Sequence, residues 1–135
     1  MTEEPTSRAE TVRRRVELSE AHARNEAVAA QALIDAFIER ARASGLEPVA
    51  LRATLFDGRQ VKTDKQGWYI RRNHSIAVGV DGGYYVLTIP GGFAERLRGA
   101  KLAPTLPPLI VGRGGRDGET GDLKDFLERA LRGLT

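Results

Sequence analysis

The chain has 135 residues, 41% of them hydrophobic, no cysteine and a formal net charge of +3. This is the length of one ordinary domain, able to bury roughly two-thirds of the surface its unfolded chain exposes. The absence of cysteine excludes disulfides, thiolate metal sites and cysteine nucleophiles, and so small a net charge does not by itself nominate a nucleic-acid partner.

From Ser7 to Ser44 there is neither Pro nor Gly, and Ala, Glu and Arg abound, which predicts a helix. Thr6 or Ser7 can cap its start, with Glu10 completing a capping box, and Gly45 suits a left-handed C′ position. The second half carries an apolar stripe at the spacing that docks a helix: Ala27, Ala30, Leu33, Ile34, Phe37, Ile38 and Ala41. Upstream, Val12, Val16 and Ala23 continue it weakly, interrupted at Ser19 or Glu20. Residues 25–44 are therefore expected to pack firmly. Residues 1–24 are expected to form a helical extension or arm on a single domain spanning 25–135.

After Gly45 the pattern turns to short runs and turns. Val49 to Phe56 alternates as a half-buried strand, and Asp57-Gly58 marks a hairpin to a return strand at Arg59–Thr63. Asp64 to Gly67 reads as a turn, followed by strands at Trp68–Arg72, Ser75–Val80 and Tyr84–Ile89. Consecutive strands joined by short turns predict a five-stranded antiparallel meander. In the tail, Phe93–Arg98 predicts a short helix, Leu109–Val111 a short strand, 112–121 a loop with five glycines, and Asp122–Leu134 an amphipathic helix. The sum is an α+β fold: a long N-terminal helix, the meander and a C-terminal amphipathic helix.

Catalytic chemistry is sparsely represented. Of the two histidines, His22 sits among charged residues of the first helix and His74 in a turn. Neither is accompanied by a ligand-spaced pair, so no metal site and no cofactor are expected. Asp57, Asp81 and Asp117 each precede glycine, the chemistry of a tight turn rather than of an acid or base. Ser75 beside His74 is not a nucleophile–base arrangement, and no nucleophile elbow occurs. The expectation is a non-catalytic chain.

Three features could carry binding. The loop at 112–121 resembles a strand–loop–helix anion cradle, with Arg113, Gly114, Gly115 and Arg116 as the candidate contacts for a phosphate or nucleotide. It lacks the Gly-Lys-Ser/Thr ending of a phosphate loop, Asp117 and Glu119 would repel an anion, and a plain surface loop explains the glycines equally. The second is an aromatic–basic cluster. Residues 46–103 carry nine basic side chains against five acidic, while the two flanking stretches are close to neutral. Within it Tyr69, Arg71, Arg72, His74 and Tyr84 are candidates for binding single-stranded nucleic acid or another ligand, with Tyr69 and Arg71 expected on one face. The competing reading is that these aromatics cover the sheet beneath a helix. Arg outnumbers Lys by 17 to 4, but a GC-rich coding sequence explains that without function.

The third feature is the first helix. Arg13-Arg14-Arg15 is flanked by Glu10, Glu17 and Glu20, as on a solvated helix, and the weak stripe suits pairing with another chain. The acidic N-terminus, unlike a signal peptide, and the lack of a long apolar run predict a soluble cytoplasmic protein with no membrane association. The favoured reading is a small protein-interaction domain that binds a partner, or itself, through the N-terminal helix.

Overall fold

The computed structural model describes residues 5–92, 95, 98–112 and 119–133. Helix α1 spans Pro5–Ala43 as one unbroken element. At 1.5 Å per residue it is about 58 Å long. It begins ahead of the Ser7 capping box, so Ser7 lies within the helix and its carbonyl accepts from the Thr11 hydroxyl at 2.9 Å. Proline is compatible with this position because a first-turn residue needs no intrahelical N–H bond. The C-terminus ends as the glycine foretells. Gly45 has φ 75°, Leu46 N–H reaches the Ala41 carbonyl and Gly45 N–H the Arg42 carbonyl, the paired bonds of a Schellman cap.

Strands β1 (Val49–Leu55), β2 (Gln60–Tyr69), β3 (Ile76–Gly79) and β4 (Tyr84–Val86) follow as an antiparallel meander. Strand β5 (Thr88–Ile89) lies parallel to β1 at the far end of the order β4-β3-β2-β1-β5. The sheet is thus mixed, where the turn spacing predicted a purely antiparallel one.

Two local causes account for the difference. Asp64–Gly67 is no turn: β2 runs through it with an irregularity in its pairing to β1. The polar residues there serve the backbone. The Thr63 hydroxyl donates to the Leu51 carbonyl at 2.8 Å, and Asp64 Oδ1 accepts from Leu102 N–H at 2.9 Å. Gly67 is required by close approach, since a Cβ would run into the carbonyl of Val78. The expected fifth strand, in turn, divides at Leu87. Leu87 N–H donates to Ser75 of the β3 side, while its carbonyl accepts from Thr54 of β1. Successive residues of a strand aim their N–H and C=O to alternate sides, so β3 and β1 lie on the same side of the 84–89 segment, one beyond the other. Only one residue separates β4 from β5, so the sheet curls until its two ends meet there.

The sheet is buried on both faces. On one, Trp68, Ile70, Ile76, Val78 and Tyr84 pack against α1 through Ala30, Ile34, Phe37, Ile38 and Ala41, and against α2 (Leu123–Leu131) through Leu123, Phe126, Leu127 and Ala130. Phe37 and Trp68 meet edge to face at 5.6 Å, and the Trp68 indole N–H is satisfied by the Leu46 carbonyl. On the inner face Leu51, Ala77, Tyr85 and Leu87 are closed off by Leu102. The hairpin β6 (Ile110–Val111) and β7 (Gly121–Asp122) leads into α2. Arg40 of α1 and Glu128 of α2 clasp the two helices with a 2.5 Å contact. Glu95 and Arg98 are helical; the rest of the short helix expected at Phe93–Arg98 lies outside the described residues.

Candidate functional site

The aromatic–basic residues separate in space. Tyr84 is 4% exposed in the core under α1, and burial pushes its hydroxyl up to about 12 despite the charge of Arg71. Tyr69 is half-buried and points the other way, toward Leu51, Ala77 and Tyr85; its hydroxyl accepts from Arg52 N–H at 2.9 Å. Strand β2 ends at Tyr69, so the alternation that would align Arg71 with it lapses there. Arg71 is 6% exposed and turns inward to donate to the Ser75 hydroxyl and to the carbonyl of Glu119. It fastens the strand end to the segment beside β6 and β7.

Arg72 and His74 remain at the surface. His74 adopts φ 57°, in the left-handed region, and its ring stacks flat on Tyr69 with centroids 4.0 Å apart. Arg72 stands 4.0 Å from the Glu119 carboxylate, which also accepts from Arg129 at 2.8 Å. The Arg129 hydrogen bond, with help from Arg72 and Arg71, holds Glu119 below the usual carboxylate range. The four loop candidates Arg113, Gly114, Gly115 and Arg116 lie outside the described residues. Glu119, at the edge of that loop, draws in three of the neighbouring arginines.

A second polar cluster involves Tyr85 and Asp81. The buried Tyr85 hydroxyl donates to Asp81 Oδ2 at 2.5 Å, and Asp81 Oδ1 accepts from Gly83 N–H. Burial and this hydrogen bond raise Tyr85 well above its ordinary value. Burial disfavours the Asp81 carboxylate, but the bonds from Tyr85 and Gly83 outweigh it and lower its pKa. Gln31 of α1 donates to the Gly82 carbonyl, locking the same turn to the helix. The Asp81-Gly82 turn reading is thereby realised, with the aspartate tied to its own turn. Among the described residues no cluster of three metal-ligating side chains occurs.

Two open surfaces stand out among the described residues. The first is the N-terminal half of α1. Residues 7–20 are all exposed, including Val12 at 59% and Val16 at 50%, and the first buried residue is Ala27. At 100° per residue Ala9, Val12, Val16 and Ala23 fall in line with Ala30, Ile34, Phe37 and Ala41. The docking face therefore continues past the body it docks on.

The second is a cleft of about 740 Å³ between the 84–90 segment and residues 98–105. Its floor includes Val86, Ile89 and Leu102, and its charged residues are Asp64, Glu95, Arg98 and Lys101. Nothing in local sequence announces it, because it forms where two chain segments diverge in space, a property of their placement and not of either segment's own pattern. The only sequence cue is Pro104 with Pro107 and Pro108, which predicts a stiff crossing there. Among the described residues no helix is long and apolar enough to cross a membrane. No protein-family model, curated protein or solved structure matches the chain.

Proposed function

We propose that the chain is a non-catalytic protein-interaction module whose N-terminal helix is its docking arm, pairing with a second amphipathic helix. The supporting observation is the stripe of the unbroken helix α1, buried from Ala27 onward and, apart from its interruption at Ser19 or Glu20, bare from Ala23 back to Ala9. An isolated helix with so narrow an apolar stripe gains little from solvent and is stabilised mainly by packing. A partner helix would supply that packing through Val12 and Val16. The aromatic–basic surface offers less, because Tyr84 and Arg71 are committed to internal contacts.

The test compares the full chain with its Val12→Glu/Val16→Glu variant. Light scattering across concentration, and crosslinking to helical partners, should report an association that the variant loses while keeping its melting temperature. A chain that stays monomeric and yields no crosslink dependent on Val12 and Val16 would sink the proposal.

A further inference from the structure

The cleft beside β4 and β5 has a feature that an ordinary surface depression lacks: a strand edge with open hydrogen-bonding positions. Gly79 N–H meets the Gly83 carbonyl, Leu87 N–H the Ser75 carbonyl and Thr54 N–H the Leu87 carbonyl. The odd-numbered residues of the segment thus face β3 and β1, and Tyr84, Val86 and Thr88 present their N–H and C=O groups outward. Thr105 takes the first of these positions, donating its N–H to the Tyr84 carbonyl at 2.9 Å in an antiparallel bridge. The same crossing segment then leaves the strand. Ala100 is bound instead to β2, through Ala100 N–H to the Lys62 carbonyl and Asp64 N–H to the Ala100 carbonyl. Between these two anchors the segment stands off Val86 and Thr88, and the cleft is the gap. Val86 is 41% exposed and Thr88 is exposed beside it.

The charges at the cleft are unevenly committed. Glu95 accepts from Gly92 N–H at 2.8 Å. Asp64 accepts from Leu102 N–H and lies 3.6 Å from Lys65. Arg98 and Lys101 are both exposed at the rim, with no ion pair among the described residues. With Asp64 paired to Lys65, Arg98 and Lys101 outnumber Glu95 by one, leaving a positive excess above an apolar floor.

We propose that the outer edge of Val86–Thr88 is a strand-addition site, taking an extended peptide that carries acidic side chains. The peptide continues the ladder that Thr105 begins, exchanging backbone hydrogen bonds with Val86 and Thr88. Alternate side chains rest on Ile89 and Leu102, and its carboxylates meet Arg98 and Lys101. An exposed edge of this kind is a ready template for another chain, and the cleft is within the size range of recognition sites. The site is separate from the α1 arm and stands or falls without it.

The test pans a displayed library of random decapeptides against the full chain, then titrates the enriched peptide into labelled protein by NMR. Enriched sequences should be acidic and free of proline at their centre, and the peptide should move the Val86 and Thr88 amide signals. Val86→Pro removes only an outward-facing N–H, a change edge strands tolerate, and should weaken binding at least tenfold. Arg98→Glu/Lys101→Glu should do the same and serves as the deciding variant if Val86→Pro fails to fold. Enrichment without acidic bias, shifts confined to another surface, no enrichment at all, or unchanged binding by a folded variant would each overturn the proposal. So would equal displacement of the peptide by laurate, which would make the cleft a small-molecule site.

Discussion

The two halves of α1 have similar helix-forming composition and opposite surroundings. From Ala27 to Ala41 the stripe contains Ile34, Phe37 and Ile38, and every one of these is buried against the sheet and α2. From Ala9 to Ala23 the same line holds Ala, Val and Ser with Glu20 at its margin, and it meets solvent. Periodicity alone sets the direction of a helix face, whereas the size of the residues on it decides whether burial repays the ordering of the chain. The docked half is part of the core. The projecting half is held by helix propensity and by its continuity with the docked half.

The largest effect should come from cutting the docked half. Phe37→Ala removes a fully buried ring packed on Trp68 and should cost about 3–5 kcal/mol by denaturant titration. The corresponding truncation in the arm, Val16→Ala, should stay within about 0.5 kcal/mol. Equal losses at the two sites would mean that the arm is packed in solution, and the contrast would collapse.

A smaller effect is expected from alkali. Tyr84 lies under the docked half with a folded pKa of about 12, against an ordinary value of 10.0. A raised folded value means that the unfolded chain gives up its proton first. The stability tied to Tyr84 is therefore complete below pH 10 and is lost as the pH rises toward 12. Two pKa units correspond to on the order of 2–3 kcal/mol. Melting temperature measured against pH should fall across that window, with the Tyr84 ring signals showing ionisation only as the protein unfolds. Early, non-cooperative ionisation of Tyr84 would show that the face under α1 admits water.

The smallest effect needs no mutation. In native-state hydrogen exchange, amides of residues 9–23 should exchange through local fraying, while those of 30–41 wait for larger opening. Protected arm amides in the free protein would sharpen the comparison differently, by revealing a second copy already seated on the stripe.

Much of this fold can be read in the sequence because its signals are local. Gly45 closes α1, Asp57-Gly58 turns β1 into β2 with Gly58 at φ 89°, and the Leu123–Ala130 stripe seats α2. Where reading fails, the cause is distant along the chain. Asp64 resembles a turn residue until Leu102 supplies the amide it accepts from, 38 positions away. Arg71 resembles a surface cation until Glu119 offers a carbonyl, 48 positions away. Local sequence exposed the candidate arm but not the cleft for a different reason. A helix face is written in consecutive turns, while a gap between two segments exists only once both are placed.

Leu87 bears on how this sheet could come apart. In an open sheet an outer strand can peel away while its neighbours stay paired. Here one residue bonds both to Ser75 beside β3 and to Thr54 of β1, so loosening it opens the outer edges of two strands together while β2 still pairs with both. The ring also cannot close until a chain segment more than thirty residues from β1 arrives, and that long closure carries its entropic cost before any ladder bond rewards it. The clasp at Leu87 should therefore form late, after the ladders that β1 and β3 each share with β2.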